Sequence, residues 1–270
     1  MITNKYNLPE HLIDLVSERK PVENRYSVTE LLNSSKEIIL RRRYGHLIVT
    51  DLSDHIDRLF GTAFHTLMEY DSKDEVRLEH TLPNGVTISG RADRIDDDEV
   101  LDYKTAKMSF VARGDFSDWE DQGLSYAWLA RKRGIFLKRV RIKAFLKDYS
   151  KMNRLGIESA IYEHVINVTP DDMIRVEKRM LEKTNELLKY KDAHIDDLPE
   201  PLPHELWYTG DKYAVIKEGA SRALKVFDDE KEAEIFATLK GANVELRKGE
   251  NFKLTYDDSL AYLFNIKEER

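Results

Sequence analysis

Apolar side chains recur every three or four positions in some stretches of the chain and every second position in others, and these two periods divide it into helices and strands. The first helical stretch runs from Val28 to Arg43, opened by Ser27 and Glu30 in capping-box spacing; the preceding residues, 1–24, read as an irregular arm. A second helix is expected over Asp51–Tyr70, with Leu52, Ile56, Leu59, Phe60, Ala63 and Leu67 on one apolar stripe and His65 nearly opposite, near Arg58, Gly61 and Glu69. Strand-like runs follow at Glu75–Leu82, Val86–Ile95 and Val100–Thr105. Ser117–Arg133 reads as a helix with Ser117 and Glu120 as capping box and Gly134 beyond its end. Arg139–Lys147 alternates as a half-buried strand, Ile161–Val168 is another, and Thr169, Pro170, Asp171 and Asp172 open a long helix.

Three of the seven prolines fall between Pro199 and Pro203, which places a linker at 199–205 between a domain over 1–198 and a smaller one over 206–270. The latter reads as ββαβ: Tyr213–Lys217, Arg222–Phe227, a helix over Asp228–Lys240 closed by Gly241, and Val244–Arg247. Strands mixed with helices in the first part predict an α/β core with helices on both sides of a mixed central sheet, followed by a small α+β domain.

Charge adds a local feature to this outline. The 270 residues carry 43 Lys+Arg against 50 Asp+Glu, a net charge of -7 that argues against a generic polyanion binder. Between Arg131 and Arg154, however, the balance reverses, with Asp148 the sole acid, and Arg139, Arg141 and Lys143 form a basic row along one strand face. That row reads either as protection for an edge strand or as a rail for phosphates. Arg41, Arg42 and Arg43 read as a second phosphate-facing group or, just as well, as a charge cluster at a helix C-terminus. There is no cysteine, which excludes disulfides, thiolate zinc sites, iron-sulfur clusters and cysteine nucleophiles; any metal must bind through oxygen or imidazole. No apolar run approaches the roughly 20 residues of a membrane span and the polar start lacks the apolar core of a signal peptide, so a cytoplasmic location and no membrane partner are expected.

The chemistry is concentrated in GRADRIDDDEVLDYKTA, Gly90–Ala106, because acids seldom occupy strand interiors without a reason. A hairpin around Asp96–Glu99 pairs Ile95 with Val100 and sets Asp93 opposite Asp102, with Cβ atoms about 5 Å apart, a distance suited to two carboxylates gripping one cation. Period two puts Lys104 on the face of Asp102. An exposed cross-strand ion network would use the same residues, and a lone D-x-K is weak as a motif. Glu79 is a further strand acid that most simply reads as solvated.

Taken in order, Gly61 to His65 (G-x-x-x-H), Gly90 to Asp93 (G-x-x-D), Asp102 to Thr105 (D-Y-K-T) and Gln122 to Tyr126 (Q-x-x-x-Y) resemble the motif series of the RecB-type branch of the PD-(D/E)XK nucleases. That branch includes phage exonucleases, the AddB and RecB nuclease domains and the CRISPR-associated exonucleases. The resemblance spans about residues 25 to 195, and SVTELLNSSKEIILRRRYG is similar to phage-encoded members. It implies a restriction-endonuclease-like core and a DNA exonuclease acting in phage recombination or processing, in the host cytoplasm, beside a recombination or single-strand annealing or binding protein. It further implies Mg²⁺ or Mn²⁺ held by His65, Asp93, Asp102 and the Tyr103 backbone carbonyl, with Asp93, Asp102 and Lys104 catalytic. Gln122 and Tyr126 then approach the nucleic acid, and Arg139, Arg141 and Lys143 offer its backbone a place to lie. Many relatives carry a cysteine-bound iron-sulfur cluster, which this chain has no cysteine to hold. An endonuclease with the same chemistry and a catalytically idle DNA-binding or assembly module on the same fold are the alternatives.

Overall fold

Strands Glu99–Ala106 and Arg139–Leu146 lie side by side and parallel, in register from Glu99 with Arg139 to Ala106 with Leu146. A parallel pair needs a crossover, and helix Ser117–Lys132 supplies it. Arg94–Asp96 and Ile161–Asn167 add antiparallel to either side and complete a four-stranded sheet. A second sheet places Thr87–Ala92 between Arg25–Ser27, parallel to it, and Val76–Thr81, antiparallel. The fold is therefore α/β with mixed sheets, the strand path being interrupted at Asp93 between the two. The structure, a computed structural model, describes residues 1–17, 20–68 and 76–268. The expectations for Glu69, Tyr70 and Glu75 fall outside them.

Helix Ser117–Lys132 is buried continuously from Gln122 to Ala130, as expected of a helix covered on more than one side. One side meets the sheets so closely that a methyl at Gly123 would overlap Val140, and one at Gly90 would come within 2.8 Å of the Tyr126 ring. Another side meets Pro170–Tyr190, where Glu177 accepts from Lys132 Nζ at 2.9 Å. That long helix begins as the sequence leads one to expect, with Thr169 and Asp172 in a reciprocal capping box.

Several local expectations are corrected. The arm contains strand Ile2–Thr3, paired with Thr50–Asp51, and helix His11–Val16. Donors from Lys5, Ser53 and Thr3 surround the Asp51 carboxylate and hold it well below the usual carboxylate range. The Ser27–Glu30 capping box is present, but the helix stops at Leu31 and restarts at Ser35, because Ser34 accepts from Glu37 N–H and caps a new helix. At the start of Ser117–Lys132 it is Asp115, not a Ser117 capping box, that accepts from the Ser117 N–H and hydroxyl; Glu120 instead meets His164 at 2.7 Å. The hairpin keeps Ile95 opposite Val100, yet Asp96 pairs with Glu99, leaving a two-residue turn with Asp97 at φ 39°.

The arginine run is absorbed by packing. Arg41 pairs with Glu37, and Arg42 pairs with Glu30 at 2.6 Å while its guanidinium lies 3.8 Å over the Tyr26 ring. Arg43 donates to the carbonyls of Tyr190, Lys191 and Ala193, so it caps the end of a helix other than its own.

The chain separates into two compact units, Met1–Leu198 and Pro199–Arg270. In the second, Pro203–Leu206 forms a 3-10 turn, and Lys212–Ile216 is the middle strand of an antiparallel sheet with Lys225–Phe227 and Asn243–Arg247. Helix Glu230–Lys240 lays Ala233 and Ala237 against Val215 and Phe227, then ends at Gly241 with φ +59°. Short helices Phe252–Tyr256 and Asp258–Phe264 follow.

Candidate active site

The parallel register assigns each side chain of the four-stranded sheet to a face. Val100, Asp102, Lys104 and Ala106 share a face with Val140, Ile142 and Ala144, the face covered by helix Ser117–Lys132. Leu101, Tyr103 and Thr105 share the other with Arg141, Lys143 and Phe145.

Asp102 is 3% exposed, with the Lys104 ammonium 2.8 Å from its Oδ2. The contact is made off the hydrogen-bond axis, and no donor is directed at that oxygen. Burial pushes the Asp102 carboxyl up, Lys104 draws it down, and the neighbouring Asp93 pushes it up further. Lys104 donates to Gln122 Oε1 at 2.7 Å, and Gln122 Nε2 donates to the Tyr126 hydroxyl at 2.7 Å. Gln122 and Tyr126 are both buried, and burial raises the Tyr126 phenol. One helical turn apart, they form a hydrogen-bonded chain to Lys104.

Asp93 does not continue the ladder opposite Asp102 as expected. Strand Arg94–Asp96 begins after it, and its Oδ2 accepts the Tyr103 N–H at 2.7 Å. Its other oxygen lies 3.3 Å from His65 Nδ1. The hydrogen bond to Asp93 raises the His65 imidazole, while burial opposes it.

His65 reaches this position on a helix turned differently from its apolar stripe. The segment opens as a 3-10 turn, Leu52–His55, and continues as helix Ile56–Met68. Gly61 lies against Thr105 and the Phe64 ring is 4.2 Å from that of Phe145, so this side faces the sheet. Phe60 and Leu67, 63% and 73% exposed, point outward. Periodicity locates a stripe, but the contact with Phe145 decides which side is covered.

Two pairs thus meet here, His65 with Asp93 and Asp102 with Lys104. Among the described residues, no group of three or more His, Cys, Asp or Glu stands close enough together to hold a metal ion as placed. The donor types nevertheless suit a hard divalent ion, and the buried Asp102 Oδ2, with no donor aimed at it, is the acceptor such an ion would satisfy.

For the basic row, the edge-strand reading is corrected. Arg139, Arg141 and Lys143 lie on the opposite face of the sheet from Asp102 and Lys104, and their strand is internal rather than an edge. Arg139 pairs with Asp98 at 3.0 Å, Arg141 with Glu99 at 3.1 Å and Glu163 at 2.8 Å, and Lys143 faces Glu163. These three side chains thus face Asp98 of the hairpin turn and Glu99 and Glu163 of the neighbouring strands. Sequence reasoning also passed over Arg25, Arg77 and Arg91, which line a groove of about 770 Å³ together with His65, Asp93 and Tyr126. Their signal was alternation: Arg77 and Glu79 in one strand, Ser89 and Arg91 in the next.

Among the described residues, no helix is long and apolar enough to cross a membrane. No protein-family model matches the chain, and no curated protein matches it in sequence. Among solved structures, it is similar to SSO0001 at 18% identity over 64% of this chain and 80% of that one, with a TM-score of 0.45. It is also similar to an alkaline exonuclease, LHK-Exo, from Laribacter hongkongensis, at 9% identity over 63% of this chain and 90% of that one, with a TM-score of 0.41. The same exonuclease in complex with dAMP aligns at 10% identity and the same TM-score, 0.41.

Proposed function

We propose that this chain is a metal-dependent nuclease of the RecB-like PD-(D/E)XK type that hydrolyses phosphodiester bonds in DNA. The observation that carries the reading is the buried Asp102, whose Oδ2 meets the Lys104 ammonium outside hydrogen-bond geometry, next to the Tyr103 amide that donates to Asp93 of the His65–Asp93 contact. A buried carboxylate in this state costs stability, and a cation arriving at it would offset that cost.

His65, Asp93, Asp102 and the Tyr103 carbonyl would hold Mg²⁺ or Mn²⁺. When bound, such an ion supplies Lewis acidity toward a phosphate oxygen and acidifies water. Lys104, steered by Gln122, offers its ammonium to the negative charge that grows on the phosphate during attack. Gln122 thereby acts as a positioning residue, with Tyr126 as its anchor.

In the same reading residues 1–198 form the nuclease domain, 199–205 a linker and 206–270 a separate small domain. The motif resemblance favours exonuclease over endonuclease action, and phage DNA recombination or processing as the setting, with a single-strand annealing or binding protein as partner.

Purified protein with Mn²⁺ or Mg²⁺ should degrade end-labelled linear DNA, and blocking either end of single- and double-stranded substrates reads its polarity. Intact linear DNA across ordinary salt and pH would remove the reading. Cutting of a closed circle would favour the endonuclease, and metal-free binding without any cleavage would favour the idle module.

A further inference from the structure

The three-stranded sheet beside the site has one face of each character. Leu78, Ile88 and Ala92 are buried, and Gly90 between them meets Tyr126 of the crossover helix. By period two, Arg77, Glu79, Ser89 and Arg91 share the opposite face, joined by Arg25 and Ser27 from the third strand. This face lines the groove that also contains His65 and Asp93.

On it, Arg77 and Arg91 are direct cross-strand partners. Like charges at directly opposed positions repel, and an anion between them turns repulsion into attraction. Arg133 adds a third guanidinium at the groove, fixed through its Nη1 to the Arg77 carbonyl at 2.6 Å. Arg25 is a fourth, and Glu79 occupies one arm of its fork at 2.7 Å. Among the described residues, the groove lining carries Arg25, Arg77, Arg91 and Arg133 beside Glu79 and Asp93.

We propose that the face is a phosphate site: Arg77 and Arg91 straddle a backbone phosphate of the DNA strand that leads to Asp93 and Asp102, and Glu79 holds Arg25 until a phosphate displaces it. A planar guanidinium matches phosphate with two parallel hydrogen bonds, which explains arginine at these positions rather than lysine. Naming DNA as the polyanion rests on the nuclease reading above; the anion site itself rests on the register.

The test is the salt dependence of binding, read by fluorescence anisotropy of a labelled single-stranded oligonucleotide in the presence of a chelator so that no turnover occurs. Each phosphate contact contributes about 0.7 to the slope of log affinity against log salt for single strands, so Arg77→Gln/Arg91→Gln, which gives up one phosphate, should reduce the slope by about 0.7 and weaken binding about fivefold near 0.1 M salt. Arg91→Lys should keep the slope while losing affinity, since charge is retained and the fork is not. Glu79→Gln should tighten binding by about threefold, the effect of removing one like charge from a phosphate's surroundings. Arg154→Gln, exposed and outside the groove, serves as the control with wild-type binding.

A wild-type slope and affinity in the double variant would overturn the proposal, and so would weaker binding by Glu79→Gln with an unchanged melting temperature. Normal cleavage by wild-type protein alongside an unaltered slope would sink the groove alone. No cleavage by wild-type protein alongside a reduced slope would sink the nuclease reading and leave the phosphate site standing.

Discussion

The paired strands Glu99–Ala106 and Arg139–Leu146 carry charge on both faces of the sheet, and the two faces treat it differently. On one, Glu99, Arg139, Arg141 and Glu163 answer one another within about a residue's reach, and most of these groups keep some contact with solvent. On the other, Asp102 is buried with the Lys104 ammonium beside its Oδ2, a contact outside hydrogen-bond geometry. Matched, part-exposed charges contribute modestly to stability, whereas an incompletely matched buried charge works against it and has to be explained by what it does. The contrast separates charges matched across the sheet from a buried carboxylate that the proposed function assigns to a cation.

The largest expected effect sharpens that separation. Lys104→Ala and Asp102→Asn should each slow cleavage at saturating DNA by about a thousandfold, the scale set by losing one preorganised stabiliser of developing charge. Asp102→Asn should leave the melting temperature unlowered, because the neutral amide escapes the burial that disfavours the carboxylate. A clear fall in melting temperature would place Asp102 among the structural charges instead. Next is Gln122→Leu. Losing a hydrogen bond to a charged group costs about 1.5–3 kcal/mol, which predicts a kcat roughly ten- to a hundredfold lower with KM little changed. Rescue by Gln122→Asn or Gln122→Glu at an altered pH profile would separate positioning of Lys104 from packing.

The opposite face should respond in stability alone. Arg141→Gln leaves Glu99 and Glu163 without their shared partner, and the expected loss is about 1 kcal/mol, or about 2–4 °C in melting temperature, at an unchanged cleavage rate. A strong loss of DNA affinity here would break the comparison and restore the basic row as a rail. The smallest effect concerns Asp98, whose carboxyl is held down by Lys138 and Arg139. A carboxyl depressed by folding stabilises the folded state above its unfolded pKa, near 4, and that contribution is lost as pH falls through the lower folded value. Asp98→Asn should accordingly flatten the acid limb of a plot of melting temperature against pH by a small amount.

What could be read in advance divides along the same physical line. The Ser27–Glu30 and Thr169–Asp172 caps, the pairing of Ile95 with Val100 and the shared face of Asp102 and Lys104 depend on neighbours a few residues away, and spacing alone reports them. The outward turn of Phe60 and Leu67, the neutralisation of Arg141 and the meeting of Arg77 with Arg91 depend on which strands become neighbours. No period contains that information. Gln122 was legible as a member of a motif but not as the partner of Lys104, since the contact joins a helix to a strand 18 residues away.

The departure of Asp93 from the ladder has a consequence for anyone altering it. Its carboxylate supplies the acceptor for a main-chain amide, that of Tyr103, while its second oxygen turns toward an imidazole, so one side chain serves the backbone and the candidate site together. Truncation to alanine withdraws both services and confounds a folding defect with a chemical one. Asparagine returns the acceptor without the charge, and it is the substitution that isolates what the negative charge alone accomplishes.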